Sequence, residues 1–150
     1  MLLHHNLKLI GVIGAGNCNK KTYDIAYEVG ELIGRSGKIV VCGGLYGVME
    51  ACCKGAKNAG GTTIGILPGY NIEQCNKYVD IPIATGMGHS RNIIIASTSQ
   101  LLIAVGGEYG TLSEIAISLK LGKKVLSLNS WNIKGIEKIE QIEDIKKFFW

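Results

Sequence analysis

A three-layer, doubly wound α/β domain, with a parallel sheet of six to seven strands between helices, is what this sequence predicts. Three observations predict it. Short β-rich apolar runs alternate along the chain with segments whose apolar residues recur at helical spacing. The 21 glycines gather in small clusters directly after those runs, where turns and ligand loops belong. Finally, 150 residues with 47% hydrophobic and 19% charged content suit a single folded domain, 1–150, with its own core.

Taken in order, residues 8–13 form the first strand, closed by Gly14, Ala15, Gly16 and Asn17. A helix is expected over 22–35, with Ile25, Val29, Leu32 and Ile33 on one face, stopped at Ser36-Gly37. The second strand, 38–42, turns through Gly43, Gly44 and Gly47 into a helix over 48–59. That helix is rich in alanine and cysteine, which permits close packing, and Gly60-Gly61 ends it. Strand three covers 62–67. After an irregular loop with a short helix at 70–78, a fourth strand runs over 79–85, where Pro82 marks an edge. Ser90 is positioned to cap a helix over 91–99. The fifth strand, 101–105, leads into a helix over 112–121, and the sixth occupies 123–128. Isoleucines at 136, 139, 142 and 145 recur every three residues, which would drift around one α-helix. A short seventh strand near 136–139 and a helix over 141–149 accommodate them.

Charge and cysteine usage narrow the function. The net charge is +4, but the lysines are scattered and no basic stripe with interleaved aromatics occurs, which argues against a nucleic-acid partner. No apolar run approaches the roughly 20 residues that a membrane helix needs. The start, Met-Leu-Leu-His-His, is too short and polar for a signal peptide. The five cysteines, 18, 42, 52, 53 and 75, are odd in number and contain no C-x-x-C, and consecutive Cys52 and Cys53 cannot face one direction on a helix. A reducing cytoplasm follows, with the cysteines acting mostly as small buried hydrophobes. His4 and His5 read as a frayed terminus. With no second histidine or carboxylate at ligand spacing from His89, no catalytic metal is expected.

In a parallel sheet, ligands bind beyond the carboxyl ends of the strands, near the switch point. Four segments converge there. They are Gly14, Gly16 and Asn17; Gly43, Gly44 and Gly47 with Met49; the 86–92 loop with Arg91 and Asn92; and the stretch holding Gly106, Gly107, Tyr109, Gly110 and Thr111. Free N–H groups in the first turn of the helix after strand five, with its dipole behind them, suit a phosphate. Arg91, at a helix start between loops, is available for the same anion. Thr111-x-x-Glu114 has the spacing of a capping box, which also puts the Glu114 carboxylate at the rim. The dinucleotide fingerprint is absent: Gly14-x-Gly16 is followed by Asn19 where glycine is needed, and strand two ends without an acidic residue. No lysine of the phosphate-loop kind follows any glycine cluster.

Together Gly43-Gly44-x-x-Gly47-Val48-Met49, Gly60-Gly61 through Pro68, Arg91, and Gly106-Gly107-x-x-Gly110-Thr111-x-x-Glu114 resemble the Lonely Guy family of Rossmann-like proteins, phosphoribohydrolases once mislabelled lysine decarboxylases. The resemblance spans about residues 8–129. It implies that Gly107, Gly110 and Thr111 hold a 5′-phosphate, and that Arg91 and Glu114 serve cleavage of the base–ribose bond. Val105, the longer loop with Glu108 and Tyr109, and Asn92 after Arg91 look closer to the sister group containing the molybdenum cofactor carrier protein. The expectation is thus a protein that binds a phosphorylated, nucleotide-like ligand, AMP-like or of molybdopterin type, and requires no other cofactor. A carrier role leads, with hydrolysis of a nucleoside 5′-monophosphate as the alternative. Apolar residues on the helices near 91–99 and 112–121 exceed what one sheet face requires, so a homodimer or homotetramer is expected.

Overall fold

A computed structural model of the chain describes residues 8–149. His4 and His5 lie outside the described residues. Seven parallel strands run in the order β4-β3-β2-β1-β5-β6-β7. They are β1 (Leu9–Gly14), β2 (Ile39–Cys42), β3 (Thr62–Leu67), β4 (Ile81–Ala84), β5 (Leu101–Val105), β6 (Lys124–Leu128) and β7 (Glu137–Lys138). Strand order reverses between β1 and β5, which pair from Ile10↔Leu101 to Gly14↔Val105. Pro82 stands on the edge strand β4, as its missing N–H requires.

Side chains along each strand alternate between two faces. Ile10, Val12, Val40, Cys42, Leu101, Ile103 and Val105 pack with α1 (Lys20–Arg35) and α2 (Val48–Asn58). Ile13, Val41, Ile66, Leu102 and Ala104 pack on the other face, against α3 (Asn92–Thr98) and α4 (Tyr109–Lys120), through Ile95 and Ile115. No described helix is long and apolar enough to cross a membrane.

Three expectations about elements need correction. The helix after strand one begins at Lys20, because the Asn19 side chain caps it by accepting from the Thr22 N–H at 2.9 Å. The residue that breaks the dinucleotide fingerprint is therefore a helix cap. Ser90 caps nothing: it lies inside a 3-10 turn, Gly88–Arg91, that runs straight into α3 without a side-chain cap. The C-terminal helix is not α but 3-10, Ile142–Phe148. At three residues per turn, Ile142 and Ile145 fall on one side, and both join the core beside α1.

Helices α1 and α2 touch backbone to backbone through Gly30 and Gly55. A Cβ built on Gly30 would lie 1.9 Å from the Cys52 carbonyl oxygen, and one on Gly55 would lie 2.0 Å from that of Tyr27. Neither neighbour is a side chain that can swing aside. Gly55→Ala is expected to lower stability toward the upper end of about 1–3 kcal/mol for an overpacked core, despite the higher helix propensity of alanine. Urea unfolding monitored by circular dichroism measures it.

Candidate functional site

The loops after β1, β2 and β5 and the turn before α3 enclose a hollow of about 420 Å³ at the switch point. Of the residues singled out from the sequence, Gly14, Gly16, Asn17, Gly43, Met49, Arg91, Asn92, Gly110, Thr111 and Glu114 line it. Leu45, His89 and Glu108 also line it. A larger concavity, about 660 Å³, shares none of these residues. Its lining includes Glu28, Glu31, Glu140 and Glu143, whose charge opposes a phosphate.

Arg91 is buried, 6% exposed, and its partners dictate the local structure. Its Nε donates to the Ile66 carbonyl oxygen at 2.9 Å, and Nη1 donates to Asn92 Oδ1. Nη2 lies 2.7 Å from where a Cβ on Gly43 would stand, so the residue after β2 must be glycine for the guanidinium to fit. Asn92, also buried, donates from Nδ2 to Ser113 Oγ at 3.2 Å, and Ser113 Oγ donates to the Gly110 carbonyl oxygen at 2.6 Å. This relay ties the arginine to the first turn of α4.

The start of α4 differs from the capping-box expectation. The helix begins at Tyr109, three residues before the expected start, and Glu108 holds the cap position without a side-chain hydrogen bond. Thr111 is therefore a buried residue of the first turn, and Thr111-x-x-Glu114 is a helix-face pair, not a cap. Gly106 and Gly107, at φ 58° and 100°, make the tight reversal that lets α4 start so early. They do not line the hollow. Gly44 and Gly47 likewise form the β2–α2 turn without lining it. Tyr109 points outward, 81% exposed, with its ring centroid 6.1 Å from that of Trp131.

Two residues the sequence reading passed over hold this loop. Ser130 Oγ donates to the Gly106 carbonyl oxygen, and Trp131 Nε1 donates to that of Glu108 at 3.1 Å. Each lies more than twenty residues from its partner, so no local pattern marks it.

Glu114 is 9% exposed and faces the hollow. Burial pushes its carboxyl up to about 8; Arg91 acts against this, and Cys42 adds to it. Burial likewise lowers the Arg91 guanidinium from its usual value, opposed by Glu114 and then Cys42. The hollow thus presents a cation, open helix N–H groups and a carboxyl that holds its proton at neutral pH. That combination attracts an anion and can donate a proton to it or to its leaving group.

Known proteins share this architecture. A protein of Archaeoglobus fulgidus is 59% identical over 122 residues, 81% of this chain and 80% of that one. The cytokinin riboside 5′-monophosphate phosphoribohydrolase of Arabidopsis thaliana is 34% identical over 106 residues, which is 68% of this chain and 50% of the enzyme. The chain thus matches about half the length of that plant relative. The molybdenum cofactor binding protein of the phototrophic bacterium Rippkaea orientalis superimposes with a TM-score of 0.90 at 35% identity, covering 97% of this chain and 96% of that one. A family model matches residues 7–148, which takes in every loop of the hollow, and the chain therefore belongs to the SLOG cluster4 family, of Lonely Guy and molybdenum-cofactor-carrier-like Rossmann fold.

Proposed function

We propose that the hollow binds a phosphorylated, nucleotide-like ligand and that the protein acts as a carrier or nucleotide-binding protein of the molybdenum-cofactor-carrier type. The observation that carries this reading is that Arg91 and the first turn of α4 line the same hollow. The phosphate sits against the Gly110 and Thr111 amides and takes its counter-charge from Arg91. Gly14, Gly16, Asn17 and Gly43 leave room for the rest of the ligand, and Met49 and Leu45 supply apolar contact. The likeness to the Rippkaea orientalis protein over nearly the whole of both chains supports the carrier reading.

The second reading is hydrolysis of a nucleoside 5′-monophosphate, and the state of Glu114 favours it. Cleavage breaks the C1′–N bond and adds water at C1′, giving base and ribose 5-phosphate. The departing base needs a proton, and a carboxyl raised to about 8 carries one at neutral pH. Glu108, on the same rim, is placed to steady the oxocarbenium-like sugar. Gly107, Tyr109 and Gly106 act only by shaping the loop.

Incubation with AMP and N6-substituted AMP separates the two readings. The carrier reading expects binding by calorimetry, no free base, and a phosphate-bearing pterin or nucleotide co-purifying by native mass spectrometry. Released base that disappears in Glu114→Gln establishes the hydrolase instead. Arg91→Ala is expected to weaken AMP binding roughly tenfold or more, the worth of a charge-assisted contact. Gly110→Asp, where a Cβ meets nothing within 4 Å, places a negative charge on the rim without a clash and is expected to abolish binding in a folded protein.

Assembly into a homodimer or homotetramer belongs to the same proposal. Ile93 on α3 is 48% exposed, and Leu121, just beyond α4, is 49% exposed. Sedimentation at micromolar concentration is expected to give at least a dimer, and Ile93→Glu to shift it toward monomer.

Glu114 also fixes a pH dependence. Between its ordinary value of 4.5 and about 8, the folded protein keeps a proton that the unfolded chain has released. The stability this group contributes is present below the lower value and is lost as pH rises through the upper one. Ligand-free Glu114→Gln is therefore expected to be more stable than wild type near about pH 9, with the difference vanishing below about pH 4. Thermal unfolding across that range reads it.

A further inference from the structure

Behind the floor of the hollow, three sulfur atoms meet. Cys42 ends β2, and Cys52 and Cys53 sit in the middle of α2. Their Sγ atoms all lie within 4.8 Å of one another, and those of Cys42 and Cys53 are 3.5 Å apart. All three residues are fully buried. We propose that Cys42, Cys52 and Cys53 form a binding site for a single soft, d10 monovalent cation, with Cu(I) as its probe.

Spacing is the first argument. Three thiolates around one ion, with metal–sulfur bonds of about 2.3 Å at trigonal angles, stand about 4 Å apart. The empty cluster already sits near that separation, so closing on an ion requires rotamer adjustment within one helix turn and one strand end. The donor set selects the ion. A structural zinc site takes four ligands, whereas no fourth cysteine, histidine or carboxylate joins this group among the described residues. Thiolates without oxygen or nitrogen donors favour a soft ion of low coordination number.

The surroundings favour negative charge at Cys42. The Gly44 N–H donates to Cys42 Sγ at 3.4 Å, and Cys52 Sγ donates to the Met49 carbonyl oxygen at 3.2 Å. The Arg91 guanidinium packs on Gly43, the residue following Cys42, and brings a positive charge to offset the thiolates. Gly43 and Met49 both line the hollow. The Met49 Sδ lies 2.7 Å from a Cβ built on Gly43, so a soft thioether packs on the residue that follows Cys42. Binding exchanges protons for the ion: S–H bonds break, the protons leave to solvent, S–Cu bonds form, and the oxidation state of copper does not change.

The test is an anaerobic titration of the reduced, metal-stripped protein with Cu(I) in competition with bathocuproine disulfonate. One equivalent is expected to bind, with a sulfur-to-copper charge-transfer band in the ultraviolet. The double variant Cys18→Ser/Cys75→Ser is expected to keep that equivalent, whereas Cys53→Ser loses it while retaining the wild-type circular dichroism spectrum. Should Cys53→Ser fail to fold, X-ray absorption at the copper edge of the wild-type complex decides the matter. Three sulfur neighbours with no nitrogen or oxygen support the site. Any nitrogen or oxygen ligand, fewer than three sulfurs, no binding in competition with the chelator, or an equivalent lost in the Cys18/Cys75 variant overturns it. AMP binding is read separately, so failure of the phosphate reading leaves this result intact.

Discussion

The structure of the site depends on keeping one charged side chain, Arg91, out of water. A buried guanidinium needs its donors occupied and its charge answered. Ile66 at the end of β3 and Asn92 at the start of α3 occupy two of its nitrogens, and the missing side chain at Gly43 admits the third. Those requirements reach into three different loops and, through Asn92 and Ser113, into α4. The charge is not fully answered. Glu114 is the carboxyl nearest in effect, yet burial keeps it protonated around neutral pH. Arg91 therefore keeps much of its charge at the inner end of the hollow, while Glu108 stands exposed on the rim.

That constraint explains which parts of the fold were legible in the sequence. Strand runs such as 101–105 and the glycines after them are local signals, and each strand appears where the apolar pattern puts it. Pro82 marked the edge for an equally local reason. The helix starts were read less well, since capping competes with turn geometry. Thr111-x-x-Glu114 has the spacing of a cap, but Gly106 and Gly107 reverse the chain so sharply that α4 is under way by Tyr109. The motif survives as two buried side chains on one helix face. At the C-terminus Ile136 and Ile139 flank the expected short strand β7, while Ile142 and Ile145 lie in a 3-10 helix, whose three residues per turn put them on one side.

What escaped the sequence lies across long separations. Trp131 and Ser130 hold the carbonyl oxygens of Glu108 and Gly106, and nothing near residue 130 announces a role in a loop more than twenty residues earlier. The cysteines show the same limit. Neighbouring residues on a helix point about 100° apart, which argued against Cys52 and Cys53 sharing a target. Both nonetheless face inward, because the Gly30–Gly55 contact draws α1 against α2 while β2 lies beneath. With apolar surroundings on two sides, a 100° spread still falls within the core, and Cys42 sits where the two directions meet.

Carrier and hydrolase readings use the same grip on phosphate and differ in what the second charge does. A carrier gains from a neutral Glu114, since a carboxylate beside the bound dianion would repel it. A hydrolase needs the same proton, but only if the base lies within reach of the carboxyl when the phosphate is seated on α4. The early start of α4 bears on this. It sets the Gly110 and Thr111 amides and the Glu114 backbone about one helical turn apart on one helix. On the proposed reading, a ligand whose scissile bond lies beyond the reach of Glu114 is held intact. On that reading, the length of the ligand between phosphate and base, measured against one turn of α4, separates storage from cleavage.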